Sequence, residues 1–559
     1  MDGSGATLMR RVVFLIPLVF LAGFFFFPLA SIMDLSLRPQ GQFDLSSFGA
    51  VIGERYYRDV LWFTIWQAIV STLLTLGLAL PGAYIVTRYR FWGKSILMSL
   101  ATLPFVLPTV VVAAAFASLI FSRGILNDLL MAVLPLDSPP LRFERTLTAI
   151  FVAHVFYNYA VALRMISGYW ANQSPRMEEA ARVLGCHGWR LWWEIRLPIL
   201  RPAILASAVL VFIFTFTSFG VVLILGGPKY ATLEVEIYNQ TLVWLDLPMA
   251  AALSLVQIGV MFFMMLIYTR LQRSTVVTLQ SVEQVARRPY RWEWLLISGN
   301  LIVMIGLLFA PLGALILRSV AGESGFTLEH YINLSRNPRG SILFVPPLQA
   351  ISNSVQFALI AMMTATFLGT LTAYLIHRVR WLDAIFMLPL ATSAVTLGFG
   401  YTVSMDFDGV RQLLGVDGDW DLRTWVGLIP VAHTLVALPF VVRSVLPALR
   451  SIPPNIKEAA AVLGASPWWV WWRIELPLIS RGIFVGATFA FTISMGEFGA
   501  SVFIARRTPT MPLVIEQLLG QPGAANYSQA FAMSAILMMV CAVAFILIER
   551  VRTAGVGEF

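Results

Sequence analysis

Long apolar runs alternate with short polar segments along the whole chain. Many of these runs reach about twenty residues, the length that a helix needs to cross the hydrocarbon core of a bilayer. Because each run is continuously apolar, we predict membrane-spanning helices and exclude a β-barrel. Twelve spans are predicted, at residues 12–33, 60–86, 97–121, 147–169, 203–225, 249–270, 294–318, 350–376, 383–405, 425–447, 482–504 and 531–549.

The first apolar run follows a short basic segment, a pattern that also fits a cleaved signal peptide. The run is longer than a signal core and no convincing small-x-small cleavage site follows it, so we interpret it as a retained span. An even number of spans places both termini on the same side. Lys and Arg are concentrated in the loops of that side, and the positive-inside rule therefore predicts that both termini are cytoplasmic.

Composition supports the same class of protein. Hydrophobic residues make up 58% of the 559 residues, charged residues make up 12%, and the mean hydropathy is +0.78. A soluble globular surface does not tolerate such values, so we predict an all-α integral membrane protein that contacts the lipid bilayer. Membrane orientation accounts for the net charge of +9, and no nucleic-acid partner is expected. The two cysteines lie in different halves, so neither a disulfide nor a metal site is predicted.

A charged, tryptophan-rich stretch interrupts the apolar pattern twice. The first island is residues 178–198, "EEAARVLGCHGWRLWWEIRLP", and the second island is residues 457–477, "KEAAAVLGASPWWVWWRIELP". Both lie in loops predicted on the cytoplasmic side, so each half contributes six spans in the same orientation, as parallel repeats. The predicted domains are a first repeat at 1–275 with its loop at 174–200, a cytoplasmic linker at 276–292, and a second repeat at 293–559 with its loop at 451–479.

Each island reads as a short helix with an alanine face, which Gly185 or Gly464 ends. The tryptophans that follow suit the membrane interface, so we predict a second, separate helix at headgroup level, which Pro198 and Pro477 redirect into the next span. A simple interfacial loop anchored by tryptophans is the alternative. Two copies with the same spacing on one face favour docking to a twofold cytoplasmic partner.

The spacing E-A-A-x3-G-x9-I-x-L-P, complete in both islands, resembles the signature of binding-protein-dependent permeases of ATP-binding cassette importers. This resemblance implies the type I importer permease fold, fused in one chain, and short helices that couple to an ATPase. The coupling residues that it implies are Glu179, Ala180, Ala181, Gly185, Glu458, Ala459, Ala460 and Gly464.

The resemblance also implies partners and a location. A homodimer of cytoplasmic ATPase subunits and an extracytoplasmic solute-binding protein would complete an importer in the bacterial cytoplasmic (inner) membrane. ATP and Mg²⁺ would be used by the ATPase, and neither a cofactor nor a catalytic residue is expected in this chain. The stretch "WGKS" at Trp92 is no phosphate-binding loop, because Arg88 stands where the leading glycine belongs.

Ionisable groups inside spans are candidates for a transport pathway. Glu497 is the strongest, because the equivalent position of the first repeat is Ser218, within the matched motifs "EFG" and "SFG". His154 and His433 occupy equivalent "VAH" motifs and either face a central path or pack the two halves. Tyr157 belongs to a polar cluster beside His154, and the predicted pathway residues are Glu497, Ser218, His154, His433, Asn158 and Tyr159.

An acidic loop on the predicted outer side either receives a cation or the binding protein's basic surface, or is simply solvated. Its members are Asp406, Asp408, Asp417, Asp419 and Asp421.

Two stretches of the sequence resemble permeases of particular solutes and indicate two candidate solutes. The stretch "TSFGVVLILGGPKYATLEVEIY" from Thr217 is similar to thiamine permeases, and "SMGEFGASVFIARRTPTMPLVIEQ" from Ser494 is similar to both thiamine and ferric iron permeases. An ion-coupled secondary transporter with two six-helix halves is the alternative function, and a channel is a weaker one. The two islands and the lack of a repeated array of membrane carboxylates count against the secondary transporter.

Overall fold

The computed structural model describes residues 14–39, 41–275, 286–322, 325–335, 346–406, 421–505, 507–521 and 523–553. Within these residues eleven helices are long and apolar enough to cross a membrane, and a bent pair of shorter helices supplies a twelfth span. In chain order, spans 1 to 12 are Phe14–Leu37, Arg55–Arg88, Thr109–Val133, Leu147–Ala171, Gly188–Phe216, Leu247–Gln272, Glu293–Ser319, Pro347–Arg378, the pair Leu382–Leu390 and Ala394–Ser404, Leu428–Arg450, Pro467–Gly496, and Ala524–Val551. The all-α membrane fold is thereby confirmed.

Short elements connect the spans. One antiparallel pair of strands, β1 (Ala321–Gly322) and β2 (Gly325–Phe326), follows span 7. The short helices are Ser46–Gly53, Lys94–Leu100, Leu103–Val106, Arg176–Val183, Leu233–Leu242, Glu329–Ile332, Pro454–Val462, Ser501–Ile504 and Met511–Gly520.

The predicted span at 97–121 is wrong in its bounds. Short helices occupy its first part, and span 3 begins only at Thr109. Pro108 marks the break, because proline disfavours helical backbone at the preceding residue, and Leu107 is accordingly extended. Span 9 is also broken, between Leu390 and Ala394, and its two helices are bent by 94°. Hydropathy alone misses these breaks because the residues around them are apolar.

The separate interfacial helices predicted after the island glycines are also wrong. The tryptophans form the first turns of spans 5 and 11, which therefore begin earlier than predicted and end at Phe216 and Gly496. In each span a π-helical turn directly precedes the proline, at Trp192–Arg196 in span 5 and at Trp471–Glu475 in span 11. Such wider turns accommodate a proline, which cannot donate the usual helical hydrogen bond, so the chain continues instead of turning.

The two halves interlock through their first spans. Spans 2, 4 and 5 pack together in one half, and spans 8, 10 and 11 do so in the other. Span 1 packs on Ala394–Ser404 of the second half, where the Tyr401 hydroxyl donates to the Phe24 carbonyl at 2.8 Å. Span 7 packs on span 3 of the first half in the same way. This reciprocal exchange makes one bundle and brings both halves to a central cavity.

The described end of the linker is attached to the first half. The backbone N–H of Arg287 donates to the Arg88 carbonyl at 3.1 Å, and the Arg287 side chain forms an ion pair with Glu293. Tyr89 donates to the same carboxylate at 2.9 Å. Residues 276–285 of the predicted linker lie outside the described residues, and the repeat boundaries stay a prediction.

Candidate coupling surface and central cavity

The two islands fold alike. Their short helices, Arg176–Val183 and Pro454–Val462, are called the island helices below. Each ends at a glycine in left-handed backbone, with φ of +84° at Gly185 and +78° at Gly464. A Cβ at either glycine would meet open space, so the requirement for glycine comes from the backbone conformation.

Two hydrogen bonds close each island helix in the same Schellman arrangement. The N–H of Gly185 donates to the Arg182 carbonyl at 3.0 Å, and that of Cys186 donates to Ala181 at 2.9 Å. The second island repeats both bonds, from Gly464 to Ala461 and from Ala465 to Ala460, at 3.0 Å each. These bonds satisfy carbonyls that would otherwise lack partners at the helix end.

The predicted coupling residues divide between two faces of each island helix. Ala181 and Ala460 are buried against the rest of the protein. The other six point outward and are exposed: Glu179, Ala180, Gly185, Glu458, Ala459 and Gly464. One alanine of each pair therefore packs inward, and its neighbour leaves room for close approach from outside.

An ion pair braces each island helix against the base of the following span, and the sequence analysis missed it. In the first island Glu178 accepts from Arg196, with Oε1 3.2 Å from Nε and Oε2 3.1 Å from Nη2. In the second island the Lys457 ammonium lies 2.9 Å from Glu475. The two pairs occupy equivalent positions with opposite signs. The signal was present in the sequence as charges of opposite sign at the same spacing in both islands.

Further groups enclose each carboxylate of these pairs. Arg182 and Arg88 lie 3.4 Å and 3.6 Å from Glu178, whose side chain is 11% exposed. Glu475 instead receives a hydrogen bond from the Tyr374 hydroxyl at 2.8 Å. The acidic partner is therefore held by several donors in both islands, which fixes the island helix in its orientation.

Large apolar side chains at the C-terminal end of each island helix point into solvent. Val183 and Leu184 are 87% exposed, and Val462 and Leu463 are 87% and 86% exposed. The first tryptophan of each island is also exposed. An apolar surface of this kind, beside a rigid helix, is typical of a docking surface for another protein.

A central cavity of about 400 Å³ lies between the two halves. Four predicted pathway residues line it, namely His154, Asn158, Ser218 and Glu497. His433 is buried behind Glu497, at 3.6 Å from its carboxylate. Tyr159 is not among the lining residues either, because its hydroxyl points at Gly82 of span 2. Their roles in transport stay predictions.

Both ring nitrogens of each predicted histidine are hydrogen-bonded. Ser71 and Ser218 lie 2.9 Å and 2.8 Å from the ring nitrogens of His154. Ser494 and Ser501 contact those of His433 at 2.7 Å and 2.9 Å. Each ring thus connects two elements of the bundle, and His154 also presents one side to the cavity.

Glu497 caps the chain where span 11 ends. Its carboxylate accepts the backbone N–H groups of Ala500 and Ser501 and the Ser501 hydroxyl, each at 3.0 Å. These donors stabilise the anion inside the bundle. The group therefore has a local structural role besides its position at the cavity.

The matched motifs "SFG" and "EFG" meet between the halves. The rings of Phe219 and Phe498 stack with centroids 5.2 Å apart and an interplanar angle of 22°. The following glycines permit close packing, since a Cβ at Gly220 would lie 2.4 Å from the Thr109 hydroxyl. A Cβ at Gly499 would lie 3.0 Å from that of Ala394. The ring pair thereby forms one wall of the cavity.

A buried carboxylate that the sequence analysis did not select also lines the cavity. Glu234 belongs to the helix Leu233–Leu242 between spans 5 and 6, and it is fully buried. Its neighbour Glu236 is equally buried but does not line the cavity. The sequence around Glu234 resembles thiamine permeases, but its apolar pattern does not indicate which of its carboxylates lines the cavity.

The acidic loop is described only at its ends. Arg423 forms ion pairs with both Asp406 and Asp421, at 2.8 Å each, and its hydrogen bonds lower the pKa of Asp421. The other predicted members, Asp408, Asp417 and Asp419, lie outside the described residues. The two described carboxylates thus already have a cationic partner.

Comparison with known proteins identifies one family and several relatives, and all of them are named as membrane components or permeases of transport systems. Residues 76–277 and 341–553 each match the family described as binding-protein-dependent transport system inner membrane component. The thiamine transport system permease proteins of Haemophilus influenzae and Escherichia coli are 24% and 26% identical, over 89% and 90% of both chains. A putative 2-aminoethylphosphonate transport system permease protein of Salmonella typhi is 27% identical over 44% of this chain and 85% of its own.

Proposed function

Because this chain belongs to the family of binding-protein-dependent transport system inner membrane components, as a fused two-repeat permease of an ATP-binding cassette importer, we propose that its solute is thiamine. The relatives named for thiamine align through both repeats. The alternative of an ion-coupled secondary transporter does not agree with the family. Ferric iron stays a prediction, and none of the relatives described above is named for it.

The observation that carries an ATP-driven mechanism is the pair of island helices with the same fold and the same exposed apolar tip. Two equivalent surfaces suit a homodimer of cytoplasmic ATPase subunits, one subunit on each island helix. ATP and Mg²⁺ then act in that partner, and an extracytoplasmic binding protein delivers the solute. In this arrangement both termini face the cytoplasm, and the membrane is the bacterial inner membrane.

Movement of the island helices is transmitted to the cavity through the spans that they brace. Closure of the ATPase dimer on ATP draws the island helices together and rotates the halves against each other. The Phe219 and Phe498 rings lie where the halves meet, so their contact differs between the inward-facing and outward-facing states. A difference of contacts between the two states is what lets the ATPase shift the equilibrium.

The polarity of the cavity favours a cationic solute. Its described lining includes Glu234 and Glu497 but neither Lys nor Arg. Thiamine carries a permanently charged thiazolium ring, which such a lining attracts. A phosphonate group would meet two carboxylates without a basic partner, which disfavours 2-aminoethylphosphonate.

Uptake by the reconstituted importer tests the proposal. Proteoliposomes that contain the permease and its ATPase, with the binding protein outside, should accumulate radiolabelled thiamine when ATP is enclosed. A proton or sodium uncoupler should leave this uptake unchanged. Uptake that continues without ATP and stops with the uncoupler would contradict the proposal, as would ATP-driven uptake of Fe³⁺ in place of thiamine.

A further inference from the structure

We propose that Glu234 is the counter-charge that recognises the cationic ring of the solute inside the central cavity. This inference rests on the proposed function, because it takes thiamine as the ligand. It assigns specificity to one side chain of the permease, in addition to the selectivity of the binding protein. The position of Glu234, its neutral partners and its contrast with two other buried carboxylates support this assignment.

The position of Glu234 is set by both halves. The helix that carries it begins where the Leu233 N–H donates to the Thr64 hydroxyl of span 2 at 2.9 Å. The Ser393 hydroxyl of the second half donates to the Glu234 carboxylate at 2.7 Å. Since Ser393 and Glu234 both line the cavity, the carboxylate lies where the two halves meet around the space available to a solute.

The partners of Glu234 are neutral. Besides Ser393, the Gln257 side-chain amide of span 6 donates to it. Among the described residues no basic side chain forms an ion pair with this carboxylate. A fully buried carboxylate with neutral partners alone is costly, and a nearby cation or a proton lowers that cost. A cationic solute supplies that compensation only while it occupies the cavity.

Two neighbouring carboxylates show what a structural role looks like. Glu497 accepts two backbone N–H groups and lies near His433, so local donors stabilise it without a ligand. Glu236 accepts from the Tyr56 hydroxyl and from Gln240, at 2.8 Å each, and is not among the residues that line the cavity. Only Glu234 of these three combines a place in the cavity lining with a lack of dedicated backbone donors.

The second half has no equivalent charge. Its corresponding helix, Met511–Gly520, begins in the same way, with the Met511 N–H donating to the Ser354 hydroxyl at 2.8 Å. Leu233 and Met511 therefore match, and Pro512 stands at the position of Glu234. Each half therefore contributes one carboxylate to the cavity, Glu234 and Glu497, but from non-equivalent positions, and such an asymmetric cavity suits the binding of one asymmetric cation.

Aromatic side chains complete the site. Phe214, Phe219 and Phe498 line the same cavity, together with Tyr157. A cation over an aromatic face is attracted by the electrons of the ring, and planar rings also stack. The lining thus offers a negative charge and aromatic faces, which are the two features that a thiazolium ring can use together.

Substitution of Glu234 in the complete importer tests the inference, with Glu236 as the matched control on the same helix. E234Q keeps the shape and removes the charge; its amide oxygen still accepts from Gln257, and the Ser393 hydroxyl can rotate to accept from the new amide nitrogen. We expect initial thiamine uptake into ATP-loaded proteoliposomes to fall about tenfold or more. ATPase activity stimulated by the thiamine-loaded binding protein should stay near the wild-type rate. E236Q should retain uptake, and E234D, which keeps the charge, should be intermediate.

The outcomes separate the inference from the proposed function. Absence of ATP-driven thiamine uptake by the wild-type importer would contradict the proposed function. Wild-type uptake together with full activity of E234Q would overturn the role of Glu234 alone. Equal losses in E234Q and E236Q, or loss of ATPase stimulation along with uptake in E234Q, would assign Glu234 a structural role and would overturn the inference as well.

Discussion

The two islands and the central cavity both consist of duplicated elements, but they use the duplication differently. In the islands the signs of the bracing charges are exchanged, from Glu178 and Arg196 to Lys457 and Glu475, while the contact is retained. Coulomb attraction depends on the product of the two charges, so exchanging both preserves it. The geometry of each island helix is thereby kept although the residues differ.

In the cavity, by contrast, the elements are duplicated but the charged positions are not. The ring pair of Phe219 and Phe498 is symmetric, but Ser218 stands where the second half has Glu497, and Glu234 has no acidic counterpart. The two walls therefore carry their carboxylates at non-equivalent positions although their backbones correspond. Equal island surfaces suit a twofold ATPase, whereas unequal walls suit a single solute molecule.

The largest expected effect comes from reversing one charge of an island brace. Arg196→Glu places a second carboxylate beside the buried Glu178, and we expect the permease to lose about 3–5 kcal/mol of stability. Thermal unfolding of the purified permease in nanodiscs measures the loss. The equivalent reversal, Glu475→Lys, should cost less, because the Lys457 side chain is 32% exposed and solvent screens its charge.

Double variants that restore opposite charges within a brace test whether the brace depends on charge alone. Glu178→Lys combined with Arg196→Glu imitates the second island and should recover part of the lost stability, although Arg88 and Arg182 then face a lysine. Lys457→Glu combined with Glu475→Lys should recover more. If neither pair recovers any stability, the braces depend on residue identity rather than on opposite charge.

Glu497 and Ser218 occupy equivalent positions but differ in charge, so we expect their substitutions to cost unequal amounts of stability. Glu497→Gln weakens three hydrogen bonds to an anion and should cost about 2 kcal/mol, whereas Ser218→Ala removes one neutral hydrogen bond to His154 and should cost about 1 kcal/mol. Unfolding of both variants under the same conditions checks this. Equal costs would mean that the second half does not depend on the Glu497 charge.

The sequence sufficed for features that depend on local pattern. Span number and the island helices with their terminal glycines follow from hydropathy and from spacing, and the structure agrees with them. The breaks before span 3 and inside span 9 were missed because the residues around them are apolar and a hydropathy window does not detect them. The place of Glu234 could not be predicted, because it depends on the helix Leu233–Leu242 folding back against spans 2 and 6. No local pattern encodes that contact.

Substitution of the island glycines tests whether the two islands are structurally equivalent, and its expected loss of stability is smaller. Gly185→Ala and Gly464→Ala should each destabilise the permease by about 1 kcal/mol, because a Cβ strains left-handed backbone even in open space. Gly185→Asn and Gly464→Asn should be milder, since asparagine tolerates this conformation. Thermal unfolding and stimulated ATPase activity measure both series. A marked difference between the two islands would contradict their structural equivalence.

The smallest effect on stability, and the clearest test of docking, comes from the exposed tips. Leu184→Ser and Leu463→Ser replace side chains that contact almost nothing in the permease, so unfolding should change by less than about 0.5 kcal/mol. Each should nevertheless weaken association with the ATPase, because apolar area is lost from the proposed interface.

Leu184→Met and Leu463→Met retain that area and serve as controls. Copurification of the ATPase and stimulated ATPase rates should fall with serine at either tip, by similar amounts, and persist with methionine. Normal association of the double serine variant would place the docking surface elsewhere, and a loss at one tip alone would show that the partner does not use the two islands equally.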